Sequence, residues 1–407
     1  MDITLELEKL RSEVLDELVG NILPFWICRM QDPDGGFIGR ITGEGRPEPD
    51  AARGAILNAR ILWAFSSAYR VLGKQEYLDA AKRAKREITD HFYDNEFGGV
   101  YWSIDRNGNP LDTHKQFYAI GFAIYGLSEY ARATGDGEAL DFAVRLYRDI
   151  EAHSFDIEKN GYIEAAARDW GGLSDMRLSG KDANERKTMN THLHIIEPYA
   201  NLYRVWKDEG LKESILNLLY LFREKIMDRN TGHLRLFFDD DWNSRCDMVS
   251  YGHDIEASWL LYEAAEVIEE EGYLKDIVPD VKRIADAASE GYIERGGMIY
   301  EFHGDTGAVD ADRHWWVQAE TVVGYLNIFR ICDNISALRK ALDTWKFIKN
   351  HIVDREGGEW FWSLKADGTP NRDDDKAGFW KCPYHNSRMC LEVIRMIDTI
   401  THKTNES

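Results

Sequence analysis

Residues 94–104, "DNEFGGVYWSI", decide the fold, because the same pattern returns along the chain. An acidic residue opens a turn, glycine follows, and a short aromatic or β-branched run comes next. The motif recurs as "DPDGGFIGR" from Asp32, "DIEKNGYIEA" from Asp156, "DRNTGHLRLFF" from Asp228, "ERGGMIYEF" from Glu294 and "DREGGEWFWSL" from Asp354. Its last glycines, Gly36, Gly99, Gly161, Gly232, Gly297 and Gly358, are separated by 63, 62, 71, 65 and 61 residues. Such a period marks a repeated supersecondary unit.

Working outward from each turn gives the unit. Before it lies an amphipathic helical pattern such as "KQEYLDAAKRAKREITDHF" (74–92), with its charges on one stripe. After it comes a helix that is apolar on most of its circumference, among them "AILNARILWAFSSAYRVLG", "YAIGFAIYGLSEYARATG", "HIIEPYANLYRVW", "WVQAETVVGYLNIF" and "HNSRMCLEVIRMI". Neither helix can cover its own apolar face. Six such pairs predict a closed toroid, the all-α (α/α)6 barrel, as a single domain over 1–407. The glycines are read as backbone punctuation in left-handed turns, since no GxGxxG or GxxxxGK[ST] pattern accompanies them.

Bulk properties narrow the function. A net charge of -21 and a pI near 5.0 argue against a nucleic-acid partner, which needs clustered Lys and Arg. No apolar run is long enough to span a bilayer, and "MDITLELEKLRSEVLDEL" reads as an amphipathic helix without a signal-peptide core, so a cytoplasmic location is expected. Cys28, Cys246, Cys332, Cys382 and Cys390 form no CxxC spacing and are read as reduced packing residues. With 13 Trp and 19 Tyr the chain has flat faces to spare for a sugar or base.

In a toroid the inner helices run the same way, so their first turns gather at one mouth. Those turns carry Arg60, Tyr118, Asn190, His194, His253 with Glu256, the stretch His314 to Glu320, and His385. Histidines, an arginine and carboxylates converging on an aromatic cavity describe an acid/base site. Three chemistries remain open on these residues. The pairs His194/Glu197 and His253/Glu256 have metal-ligand spacing, although no HExxH motif supports a metal. Glu256 and Glu320 could act as a glycosidase pair, which leaves the histidines idle. Proton abstraction beside a carbonyl uses them: one histidine on each face of an enediolate, with Arg60 and a third histidine at the oxyanion. Trp63 and Trp206 are assigned to the core. Of the adjacent Trp315 and Trp316, about 100° apart on a helix, one is expected to face the cavity, namely Trp316 on the face of Glu320.

Together "RGAILNARILW", "MNTHLHIIE", "GHDIEASWLL", "DRHWWVQAE" and "GFWKCPYHNSRMCLE" make the chain resemble, over nearly its whole length, the N-acylglucosamine 2-epimerase superfamily, and within it the cellobiose 2-epimerases. The resemblance implies inversion of C2 of the reducing-end sugar of a β-1,4-linked disaccharide, with no metal or other cofactor. It implies His253 and His385 as the two general acid/base residues, His194 and Arg60 as stabilisers of the enediolate oxygens, and Glu256 as the residue orienting substrate and His253. Trp316 and Trp380 are implied as stacking platforms, with Tyr118, Asp182, Asn190, Trp259 and Glu320 as binding or shaping partners. The expected partner is a small disaccharide, and the expected assembly a monomer or weak homodimer. Members of the family can have glycine before "PYH"; this chain has Cys382, which is expected to affect loop shape or sensitivity to thiol reagents. Aldose-ketose isomerisation and epimerisation of a monosaccharide remain as alternatives, as does a binding toroid without catalysis.

Overall fold

Segments 55–72 and 75–92 show how one repeat is built. The first is buried on every face from Ala55 to Ala68, while the second buries Tyr77, Ala80, Ala81 and Ala84 and turns most of its charges, Lys85 and Glu87 excepted, to water. A helix that is apolar all round must be enclosed, and a one-sided helix must do the enclosing. In a computed structural model describing residues 2–406, this arrangement repeats six times.

The outer helices are α1 (3–29), α3 (75–92), α5 (Gly137–His153), α7 (209–226), α9 (Glu271–Ala288) and α11 (335–352). The inner helices are α2 (Ala55–Leu72), α4 (Phe117–Thr134), α6 (Met189–Tyr203), α8 (Tyr251–Ile268), α10 (Trp315–Cys332) and α12 (Tyr384–Glu406). Each inner helix packs on the next, and α12 returns to α2, so the twelve helices form the (α/α)6 ring. Ring closure is reinforced between the first and last helices, where Arg11 donates to Asp398. Helix α6 begins five residues before the apolar run at His194 that marks it in the sequence, because Thr188 caps its polar first turn by accepting from the Thr191 N–H. Among the described residues no helix is long and apolar enough to cross a membrane.

The repeated turns explain themselves. All six marker glycines have positive φ, from 62° at Gly36 to 94° at Gly161. At Gly99 a Cβ would stand 2.8 Å from the Trp170 ring, so close approach as well as backbone conformation calls for glycine. The acidic residue has a partner that the motif did not disclose. Lys115, two residues before α4, donates to Asp94 at 2.9 Å, both side chains being fully buried. Arg53 before α2 pairs likewise with Asp32, and Lys187 before α6 with Asp156. Burial alone would raise the Asp94 carboxyl, but Arg168 and Lys115 outweigh it and hold Asp94 far below the ordinary carboxylate range. The aromatic runs after the turns form two- and three-residue strands that pair with the segment leading into an inner helix, as Arg53–Gly54 does with Ser103–Ile104.

The two mouths differ. At one, the ends of the inner helices bring Arg70, Glu129, Arg132, Arg204, Glu263 and Arg395 around a polar cavity of about 390 Å³, with their charges paired across it. The helix N-termini open at the other.

Candidate active site

The N-terminal mouth holds a cavity of about 410 Å³. Its wall includes Arg60, Tyr118, Asp182, Asn190, His194, His253, Glu256, Trp316, Trp380 and His385, all singled out in the sequence. The first two turns of α2, α4, α6, α8, α10 and α12 each supply at least one wall residue, as equivalent positions in a toroid require.

Two expected contacts lie elsewhere. Glu320 and Trp259 are buried behind the wall, where the Trp259 indole N–H donates to Glu320 Oε2 at 2.9 Å. Helix α10 points Glu320 toward the ring axis below the cavity, so it reaches His385 rather than the open space. A second correction concerns the tryptophan pair: Trp315 and Trp316 both line the cavity. They occupy the first two positions of α10, where the open mouth exposes more than one helical face. Trp63 is core as expected, stacked on Tyr125, whereas Trp206 is half-buried against Tyr147.

The polar start of α8 divides in two. Asp254 turns away from the cavity and accepts from His233 Nδ1 and the Leu234 N–H. His253 faces the cavity with Nδ1 2.7 Å from Ser250 Oγ. The His253 and His385 rings both touch Trp316, at 4.8 and 5.6 Å between centroids, so the two imidazoles share one compartment. Desolvation lowers the His253 pKa to about 3 and drives His385 well below its ordinary value, with His194 adding to it at the first and Arg60 and Arg388 at the second. Both are therefore neutral at pH 7. His385 Nδ1 is 2.7 Å from Glu320 Oε1, and a carboxylate there fixes the proton on Nδ1 and frees Nε2. His194 is oriented in the same way by Glu197, at 2.9 Å.

Arg60 is a buried cation without a counter-ion: among the described residues no carboxylate pairs with it. It donates to Tyr118 Oη at 2.7 Å and lies over the rings of Phe122 (4.1 Å) and Tyr384 (4.7 Å). It also donates to the Cys382 sulfur at 3.7 Å. Cys382 is itself fully buried, so this thiol is packed beneath the wall and not presented to reagents.

The sequence reading did not single out Arg388, yet it is the hub of the site. Its guanidinium is fully buried and donates to Glu197, Glu256 and Glu320, drawing three inner helices onto α12. A charged residue three places after His385, on a helix otherwise buried, was the available signal. His314, at the start of the stretch singled out before α10, is also on the wall; Tyr300, Glu301 and Trp362 were missed, and all three belong to the aromatic runs after the turns. Glu256, Glu320 and His385 place ligand atoms within 4.8 Å of one another, which is metal-site spacing. The positive charge at that spot is a guanidinium, since Arg388 Nη2 lies 2.6 Å from both carboxylates.

Comparison with known proteins agrees over nearly the whole chain. The N-acylglucosamine 2-epimerase (GlcNAc 2-epimerase) family model matches residues 36–388. The chain is 64% identical over 388 residues to a cellobiose 2-epimerase of Bacteroides fragilis, covering 95% of this chain and 99% of that protein. It is 39% identical to one of Dictyoglomus turgidum, covering 97% and 100%. A solved cellobiose 2-epimerase from Bacillus thermoamylovorans has a TM-score of 0.91 at 42% identity, over 95% of this chain and 99% of that one. A family 76 α-mannanase from Bacteroides thetaiotaomicron, with a TM-score of 0.63 at 12% identity and covering 97% of each chain, shares the fold alone. A family match spanning the repeats from the first turn to Arg388, together with full-length relatives of this identity, establishes that the chain belongs to the N-acylglucosamine 2-epimerase family.

Proposed function

We propose that the protein is a cellobiose 2-epimerase, inverting C2 of the reducing-end glucose of β-1,4-linked disaccharides, cellobiose to glucosylmannose and lactose to epilactose. The observation that carries the reading is the pair of neutral imidazoles, His253 and His385, in one tryptophan-walled cavity that also holds a cation without a counter-ion, Arg60.

After the sugar ring opens, one imidazole takes the C2 proton and the C–H electron pair moves into the C1 carbonyl. The resulting enediolate places negative charge beside Arg60 and His194. The other histidine takes a proton from water as the substrate binds and, as the imidazolium, returns it to C2 from the opposite face, while the proton held by the first passes back to water; the imidazoles exchange roles for the reverse reaction. Desolvation suits this step: an imidazolium in such a site is a strong acid and gives up its proton readily, while Glu320 behind His385 restores basicity to the free nitrogen. Trp316 and Trp380 are the stacking faces, and Tyr118, Asp182 and Asn190 supply hydrogen bonds to hydroxyls.

The hydrolase reading has less support. Glu256 and Glu320 share one Arg388 nitrogen instead of facing each other across the cavity, and Glu320 is off the wall. Incubation with cellobiose in D2O, followed by NMR, tests the proposal. Glucosylmannose carrying deuterium at C2 is the expected product. Free glucose would favour the hydrolase, a fructose-ended disaccharide would favour the ketose isomerase, and unlabelled epimer would exclude proton exchange.

A further inference from the structure

Three carboxyl groups, Glu197, Glu256 and Glu320, surround the single guanidinium of Arg388. Their oxygens are not equally served. Glu197 accepts from Arg388 and Tyr384 on one oxygen and lies 2.9 Å from His194 Nδ1 on the other. Glu320 receives His385 Nδ1 and Arg388 on Oε1 and the Trp259 indole on Oε2. Every oxygen of these two groups already meets a donor, which favours the carboxylate and leaves no place for a proton. Glu256 differs: Oε1 accepts from Arg388 at 2.6 Å, and Oε2 is buried with no partner at all. A buried carboxylate oxygen without a donor is costly, and the same oxygen bearing a proton becomes a donor in its own right.

We propose that Glu256 is held as the neutral carboxylic acid, its proton on Oε2, and that it serves the reaction as a hydrogen-bond donor to the substrate oxygen on which negative charge develops. Arg388 is the positioning residue: by donating to Glu197 and Glu320 as well, it fixes which carboxyl keeps the proton. The groups facing Glu256 agree. Arg388 on α12 is the cation in direct contact; burial would raise Glu197 on α6, but Arg388 and His194 hold it down to about 2, and burial raises Glu320 on α10 by less than it raises Glu256. Arg60 on α2 is bonded to Tyr118 on α4, and His385 is neutral. Burial and the neighbouring Glu320 both drive the Glu256 carboxyl well above its ordinary range. An enediolate beside two ionised carboxylates would be repelled by both; a neutral Glu256 removes one and adds a donor.

The role rests on the 2-epimerase reading, whereas the protonation state does not, so the test has two arms. Infrared spectroscopy of the resting protein at neutral pH is expected to show a protonated-carboxyl C=O band that shifts in D2O. Buried Glu164, whose carboxyl is raised to about 8, and Glu301, raised by burial to about 7, supply further components. Glu164→Gln and Glu301→Gln should each remove one of these, and Glu256→Gln its own. In the kinetic arm, Glu256→Gln keeps the neutral donor and should retain kcat/KM within about tenfold, while Glu256→Ala loses the about 10²–10³ typical of an oxyanion donor. No Glu256 component in the parent, or one that survives Glu256→Gln, overturns the protonation state. Equal loss in a folded Glu256→Gln and in Glu256→Ala overturns the donor role. Absence of epimerase activity in the parent counts against the proposed function alone and leaves the infrared result standing.

Discussion

Replacing Arg60 by methionine should separate what this residue does for the fold from what it does for the reaction. Burying a cation costs several kcal/mol. Here the offset comes from two ring faces, at 4.1 Å to Phe122 and 4.7 Å to Tyr384. Each is worth about 2 kcal/mol when desolvated. A donated hydrogen bond to Tyr118 adds about 1.5–3 kcal/mol. Cost and offset nearly cancel, and methionine restores apolar contact with the same rings, so Arg60→Met should leave stability unchanged or raise it by up to about 2 kcal/mol. With an unfolding entropy of about 2.1 cal/mol/K per residue, that is a rise in Tm of about 0–2 °C for a chain of this length. Catalysis should fall by about 10²–10³ in kcat, the loss expected when a charge aimed at an oxyanion is removed. Calorimetry and an epimer assay on the same preparation read both quantities. A Tm lowered by more than about 5 °C would make Arg60 a structural residue, and activity within tenfold of the parent would remove it from the oxyanion site.

The remaining expectations need equally simple measurements. His385→Asn should lose about 10²–10⁴ in kcat, and the C2–H exchange rate in D2O should fall with it; exchange at the parental rate would free His385 from the proton transfer. His192 is fully buried, with Nδ1 on the Thr188 carbonyl and Nε2 accepting the Tyr162 N–H, and burial lowers its pKa to about 4. Its unfolded form titrates near 6.5, so the unfolded chain binds the proton first. Stability is complete above about pH 6.5 and falls as pH drops toward about 4, by about 2 kcal/mol from this residue at pH 5. In His192→Gln the difference in unfolding free energy between pH 7 and pH 5 should shrink by that amount, and an unchanged difference would refute the assignment. Asp94→Asn leaves Lys115 charged and buried beside a second cation, Arg168, and should cost about 3–5 kcal/mol in chemical denaturation; a loss below 1 kcal/mol would show that water solvates the stranded charge.

What the sequence determined by itself was everything carried by local periodicity. A six-fold turn motif, one-sided outer helices and enveloped inner helices follow from the spacing of apolar residues and glycines, which are properties of neighbours in the chain. Because the repeats align, the positions that gather at one mouth could be named too, down to His253, His385 and Arg60. Tertiary structure alone decided how those groups are charged and joined. Arg388 meets Glu197 and Glu256 across 191 and 132 residues, and Glu320 leaves the wall to stand behind His385; no periodicity encodes such contacts. In the first three turns the acidic residue had a visible place in the motif, but its buried Lys or Arg partner comes from the segment just before the next inner helix. Protonation was equally invisible, because desolvation depends on everything packed around a group, and only the closed ring supplies those surroundings.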